Sequence, residues 1–419
     1  MIHYLILASA LLAGAVQAQA PAEPSCVANC HGKEATAFRA GVHKKVFSCT
    51  KCHGGNPKAL RDKARSHDPE AGFLGKPARA KIPELCGGCH SDPLGMHAYG
   101  IETDQLAQYR ISSHGRAVLE KGNLDAAVCS DCHGAHGILP AHDPRAPTAR
   151  VNQPETCGRC HSDKALMERA GLPFDSVDRF RAGIHGDALL VQRSRGAPSC
   201  TDCHGSHGAL PPGVGDAVQI CGQCHLNTAE HYAKSAHAKS GEMRCAACHE
   251  DKKDDPAFRR SDCTVCHGSH AIRVPGDAMY DGDQVGHCGH CHRQEGEADK
   301  LEALILGGRR KLENAVRETK RELAAAKRKG FFVEYEALYE QESARTLVSL
   351  QPMIHSLDAG VISKHLEDGL KRQDRTREII AKKTEALRDR RILLSGLALV
   401  LLLLLGLLAV KLKAVRRLS

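Results

Sequence analysis

The chain has 419 residues, enough for two domains or one long one and for a sizeable buried core. Trp is absent and aromatics make up only 4%, while Cys reaches 20 and His 26, so something other than aromatic side chains must fill the interior. The formal charge of +9 is spread along the sequence with no nucleic-acid-binding motif beside it, which argues against a nucleic-acid partner.

The N-terminus carries an apolar run from Tyr4 to Val16 and then Ala18-Gln19-Ala20, the small-residue pattern of a secretory cleavage site. The run is short for a membrane span. Residues 1–20 are therefore predicted to be a signal peptide, cleaved after Ala20.

All twenty cysteines then fall into ten pairs. Nine are Cys-x-x-Cys followed at once by His: Cys49/Cys52/His53, Cys86/Cys89/His90, Cys129/Cys132/His133, Cys157/Cys160/His161, Cys200/Cys203/His204, Cys221/Cys224/His225, Cys245/Cys248/His249, Cys263/Cys266/His267 and Cys288/Cys291/His292. The tenth, Cys26/Cys30/His31, has one extra residue between its cysteines. Disulfides suit an exported chain but do not explain a His after every second Cys, and neither do zinc knuckles. Two thiols that reach the vinyl groups on one edge of a haem, with an imidazole placed beneath the iron, explain all three positions. The expectation is ten covalently attached haem c groups, with the wider Cys26/Cys30 loop holding one of them. At about 27 residues per haem the polypeptide cannot wrap each porphyrin separately, so the haems must form much of the core.

An offset of 71 aligns His43 with His114 and His185, Cys86 with Cys157, Cys129 with Cys200, and His136 with His207. A shortened fourth unit starts at Cys221. An aromatic (Phe38, Tyr109, Phe180, Tyr232) stands five residues before each of His43, His114, His185 and His237, as a repeated sixth ligand to iron would require. His136, His207 and His270 form a second set, three residues after a motif histidine. From there each cannot easily reach the far face of its own haem, but can ligate a neighbour's. His67 and His142, each in a His-Asp-Pro tripeptide, and His355 complete a set of ten sixth ligands, with His97, His231, His287, His290 and His365 also available.

Residues 21–296 thus read as one decahaem domain. From 297 to 391 there is no cysteine. Leu301, Leu304, Ile305, Leu312, Val316 and Leu323 follow helical spacing. After Gly330, Phe332, Tyr335, Leu338 and Tyr339 begin a second helix, with Leu347, Leu350, Ile354 and Leu357 beyond and Pro352 as a kink. The prediction is a helical hairpin packed on the haem domain and leading into a transmembrane helix. That helix is Ile392 to Val410, nineteen residues without a charge. Basic residues flank both ends, so the export signal sets the orientation, with the tail 411–419 in the cytoplasm.

The CxxCHGxH elements, the aromatic-x4-His pattern and the C-terminal helices resemble the exported multihaem c-type cytochromes with doubled CxxCH motifs. That group is distantly similar to cytochromes of the hydroxylamine oxidoreductase and nitrite reductase type. The resemblance implies that His31, His53, His90, His133 and their counterparts are proximal ligands, and that His114, His136, His185 and His207 are distal ones. The chain departs from the nitrite reductases in having no Lys after any CxxC. It departs from membrane quinol-oxidising tetrahaem cytochromes in its C-terminal anchor, and from soluble decahaem proteins held in outer-membrane porins in having a span at all.

The fold expected is mainly α with much irregular loop, its core built around stacked haems. The function expected is electron transfer on the periplasmic face of a bacterial cytoplasmic membrane, between the quinone pool or a membrane partner and a periplasmic acceptor. No catalytic residue is assigned. The alternative is a multihaem oxidoreductase acting on a small nitrogen or sulfur compound at one open-site haem, for which the Cys26/Cys30 motif is the first place to look. A third class is haem storage or a passive membrane scaffold.

Overall fold

The computed structural model describes residues 31–59, 62–211, 217–239, 296–330 and 336–418, with 263, 267–273, 276–277, 288 and 292 between them. The predicted signal peptide and Cys26, Cys30, Cys245, Cys248, His249, Cys266 and Cys291 lie outside these residues. The described chain is mainly helical and contains no strand. It divides into two units: residues 1–181 with 185–211, and 182–184 with 212–419.

In the first unit the helices are short, and the cysteine motifs explain why. Cys49–His53, Cys129–His133 and Cys200–His204 are single turns of five residues. One helical turn puts the two thiols, three residues apart, on a common face with the histidine following. Each turn stops at a glycine with positive φ, Gly54 at 66°, Gly134 at 79° and Gly205 at 78°, a conformation that other residues adopt only at a cost. The alternate motifs close nine-residue helices, Ile82–His90 and Gln153–His161, each with Pro in its first turn.

The aromatic-x4-His pattern is a helix-turn-helix. Tyr109 lies near the end of the helix Gln105–Ile111, buried, with its hydroxyl donating to the Ala127 carbonyl at 2.8 Å. Ser112 then caps the helix Ser113–Leu119 by accepting from the Gly115 N–H at 2.9 Å, which sets His114 in its first turn. Gly115 is required because a Cβ there would sit 1.7 Å from the Tyr109 carbonyl oxygen. Gly186, after His185, meets the Phe180 carbonyl in the same way at 2.1 Å.

In the second unit the C-terminal region is three helices, Glu297–Arg328, Glu336–Ile354 and Ala359–Leu418. The expected hairpin covers 297–391, but residues 359–391 belong to the third helix, and Pro352 stands two residues before the end of the second. The third runs on as one 60-residue helix through the apolar segment. Ile305, Leu312, Val316, Leu350, Ile362 and Leu366 form their core, with Leu323, Ala326 and Ile380 further along. Gly308 and Gly369 allow the close approach: a Cβ on Gly308 would come within 2.2 Å of Leu366, and one on Gly369 within 2.8 Å of Thr346. The first and third helices point the same way, since Gly308 meets Leu366, Glu322 meets Arg377 and Lys329 meets Arg391. The third is long and apolar enough to cross a membrane, with a mean hydropathy of 2.9 over its most apolar stretch and none of that stretch buried.

Candidate metal centres

Among the described residues, seven motif histidines each face a second histidine from elsewhere in the chain. In the first unit His31 faces His67 and His43 faces His90, both at 6.1 Å between ring centres. There too His53 faces His136 at 6.0 Å, His114 faces His161 at 6.1 Å, and His133 faces His207 at 6.0 Å. In the second unit His237 faces His292 at 6.0 Å and His267 faces His355 at 5.8 Å. All seven outer partners belong to the predicted set of sixth ligands.

The distance hardly varies, yet the angle between ring planes runs from 7° in His133/His207 to 62° in His31/His67. Packed aromatic rings change separation with tilt; the perpendicular contact of His67 with Phe73 closes to 4.5 Å. A separation independent of tilt fits two imidazole nitrogens sharing one atom. Two metal–nitrogen bonds of about 2.0 Å laid end to end, plus the rings' own half-widths, put the centres about 6 Å apart.

The backbone prepares several of these rings. The Nδ1–H of His53 donates to the Gly75 carbonyl at 2.9 Å, that of His204 to Leu210 at 3.1 Å, that of His67 to Lys63 at 2.8 Å and that of His355 to Gln351 at 2.9 Å. In this tautomer Nε2 keeps its lone pair for a metal. Burial, and then the partner imidazole, holds His43, His114, His133, His237 and His267 below the usual histidine range, so the neutral, ligating form is favoured.

The described cysteines are thiols and not disulfides. Neighbouring motifs meet through them. Cys86 is hydrogen-bonded to Cys129, which pushes the Cys86 thiol up and Cys129 down, and Cys157 and Cys200 repeat the arrangement. Burial, and then the nearby Cys89 thiol, pushes Cys52 up. An arginine locks each pair. Arg79 spans the Asp131 carboxylate at 2.8 Å and the Leu124 and Ala126 carbonyls, while Asp131 also accepts the Val128 N–H at the start of the motif turn. Arg150 does the same with Asp202, at 3.0 Å, and with the Ala197 carbonyl; Asp202 accepts the Ser199 N–H. Sequence reading missed these clamps, although the offset of 71 relates both partners.

Six described motif residues depart from the expectation that the haem-holding side chains sit together in the core. His31, Cys52, Cys203, Cys224, His225 and His292 are exposed, and the other described motif residues are partly buried. Local structure gives the reason at Cys203, Cys224 and His225. Cys203 belongs to the five-residue turn Cys200–His204, whose inner side is taken by Cys200 against Cys157. The motif Cys221/Cys224/His225 is not one helical turn at all. The helix Ala217–Gly222 ends between its two cysteines, and the next, Leu226–Lys234, begins after His225. The two helices are joined through the His225 N–H, which donates to the Cys221 carbonyl at 2.9 Å, and the His225 carbonyl, which accepts from Ala229 at 3.0 Å. This motif therefore differs from the five-residue turns Cys49–His53, Cys129–His133 and Cys200–His204.

Sequence reading also missed how the two outer histidine sets are tied together. The residue before three of the four aromatic-x4 histidines donates its N–H to the residue two past a trailing histidine. Val42 bonds Ile138 at 2.9 Å, Ser113 bonds Ala209 at 3.0 Å and Ile184 bonds Ile272 at 2.7 Å. His185 and His270 flank the last of these bridges. His142 lies beside Asp143, which is held by Arg145, and His97 ends the helix Pro93–His97.

Among the described residues no group of three or more His, Cys, Asp or Glu side chains converges on a metal. Within them the donors come instead as opposed imidazole pairs beside two thiols on an adjacent turn, a donor set suited to a metal that carries ligands of its own. An open space of about 530 Å³ is lined partly by Lys44, Lys45 and the Arg145–Asp143 ion pair. No protein family, curated protein or solved structure matches the chain.

Proposed function

We propose that the chain is an exported c-type cytochrome with ten haems, anchored by its C-terminal helix to the periplasmic face of the cytoplasmic membrane and transferring electrons. The observation that carries this reading is the seven opposed imidazole pairs, each joining one motif histidine to one outer histidine at a common distance. Likeness to the exported multihaem cytochromes rests on the same motifs, and the stacked-haem core on the contact between neighbouring motif thiols.

When bound, haem supplies one-electron redox chemistry. The chain's residues fix where this happens. The cysteines would anchor each group, and the motif histidine and its outer partner would hold its metal between them, which would keep substrates away from it. Carbonyls such as Gly75 and Gln351 orient the rings. Such sites pass electrons and do not bind small molecules.

Electrons would be exchanged with the quinone pool or a membrane partner on one side and a periplasmic acceptor on the other. For the site at His267 and His355 the second unit favours a protein partner. His355 adjoins the start of the third helix, and from Ala359 to Ile392 that helix extends about 50 Å at about 1.5 Å per residue. Tunnelling falls off exponentially and does not cross such a gap in one step.

The test is a haem count with spectra of the purified protein. Ten haems per chain, all low-spin and unresponsive to cyanide, nitrite or hydroxylamine, support the reading. A high-spin fraction that binds these ligands would favour an oxidoreductase with one open site, and haem that undergoes no redox titration would favour storage.

A further inference from the structure

The first and third C-terminal helices bring two basic triplets to one level. Lys327, Arg328 and Lys329 close the first helix, while Arg388, Arg390 and Arg391 stand immediately before the apolar segment that begins at Ile392. The triplets are tied by a hydrogen bond from Arg391 Nη2 to the Lys329 carbonyl oxygen, between residues 62 positions apart. Gly330 packs on the same guanidinium, where a Cβ would stand 2.9 Å away. All six side chains are exposed.

Their charge is only partly offset nearby. Arg388 is 3.6 Å from Glu385 and 3.5 Å from Asp389 and Lys327 has a contact of its own, while Arg328, Lys329, Arg390 and Arg391 still leave a cationic excess. A helix C-terminus favours a cation or two in its last turn, which accounts for part of the first triplet. It does not account for a second triplet from another helix at the same height, directly above the first apolar residue.

We infer that this ring is a binding site for anionic phospholipid headgroups at the membrane surface on the side of the chain's body. A phosphodiester offers a negative charge and acceptor oxygens to guanidinium and ammonium donors. Near an anionic surface each Lys or Arg strengthens attraction by about five-fold. By gripping headgroups through two helices at once, the ring would also hold the three-helix region at a fixed angle to the bilayer. The inference rests on the third helix crossing the membrane and not on haem content.

The test uses the full-length chain reconstituted in phosphatidylcholine bilayers containing spin-labelled phosphatidylglycerol or spin-labelled phosphatidylcholine. Electron paramagnetic resonance then measures the motionally restricted fraction of each label. The expected result is selectivity for phosphatidylglycerol that weakens as salt is added. In a K327Q/K329Q/R390Q variant of unchanged helix content this selectivity falls about five-fold or more, leaving the part due to the basic tail. Arg391 is kept because it ties the two helices together. Equal restriction of phosphatidylglycerol by wild type and variant would overturn the inference. Release of the label by inorganic phosphate, beyond that by chloride at equal ionic strength, would assign the ring to free phosphate instead.

Discussion

His136 shows what the three-dimensional arrangement adds to a motif. It belongs to the segment that carries Cys129, Cys132 and His133, yet its ring faces His53, 6.0 Å away, while His133 faces His207. His136→Ala is therefore expected to leave covalent haem content unchanged and to open the site at Cys49 and Cys52, read as a new high-spin fraction that binds cyanide. If the spectrum stays wholly low-spin, the pairing is wrong. The ring angles carry a second prediction. His133/His207 at 7° and His237/His292 at 14° are nearly parallel, whereas His31/His67, His43/His90 and His114/His161 lie between 53° and 62°. Low-spin ferric centres with parallel and strongly tilted imidazoles have distinct resonance spectra, so two classes of signal are expected and a single class would contradict these orientations. That these histidines are ligand candidates was legible because repetition marks them. Which faces which was not, because partners are as close in sequence as 31 and 67 and as distant as 267 and 355.

At the scale of elements, the clamps tie neighbouring motifs into pairs. Arg79 reaches across to Asp131 and two carbonyls, and Arg150 repeats the role in the next unit. Arg79→Gln is expected to cost about 1 to 3 kcal/mol, toward the lower figure because the ion pair is about one-third exposed, and to shift the potentials of the two sites it joins. Unchanged potentials in a redox titration would reduce Arg79 to a surface contact. The break inside Cys221/Cys224/His225 was not legible, because those residues match the unbroken motifs and the helix ends are set by what surrounds them. In the C-terminal region the apolar spacing foretold the core: Ile305, Leu312, Val316 and Leu350 are buried as the periodicity requires. Leu312→Ala should destabilise this region by about 2 to 5 kcal/mol, measurable by thermal unfolding. What periodicity could not supply was the third helix's continuity from Ala359, because charged turns and an apolar segment share one helix and no single pattern covers both. Nor could it reveal that Gly308 and Gly369 are packing positions, since a glycine in a helix also reads as a weak point.

The whole molecule separates its functions along the chain. Motif histidines and outer histidines face one another within each unit, and among the described residues the last helix carries the one stretch apolar enough to span a membrane. Truncation before Ile392 is expected to give a detergent-independent protein with the same haem content; loss of haem on truncation would mean that the span takes part in the sites. The proposal of haem rests on the ten motifs, whose spacing neither disulfides nor zinc knuckles explain. The clamps and the basic ring were not legible in the sequence, because each joins residues far apart along it. The central claim is that every motif histidine shares a metal with a second histidine. Near-infrared magnetic circular dichroism of the oxidised, full-length protein, read alongside a haem count, tests this most directly. Ten haems per chain are predicted, all with the charge-transfer signature of two imidazole ligands. A chain without haem, or haems whose signature shows one imidazole or another second ligand, would contradict it.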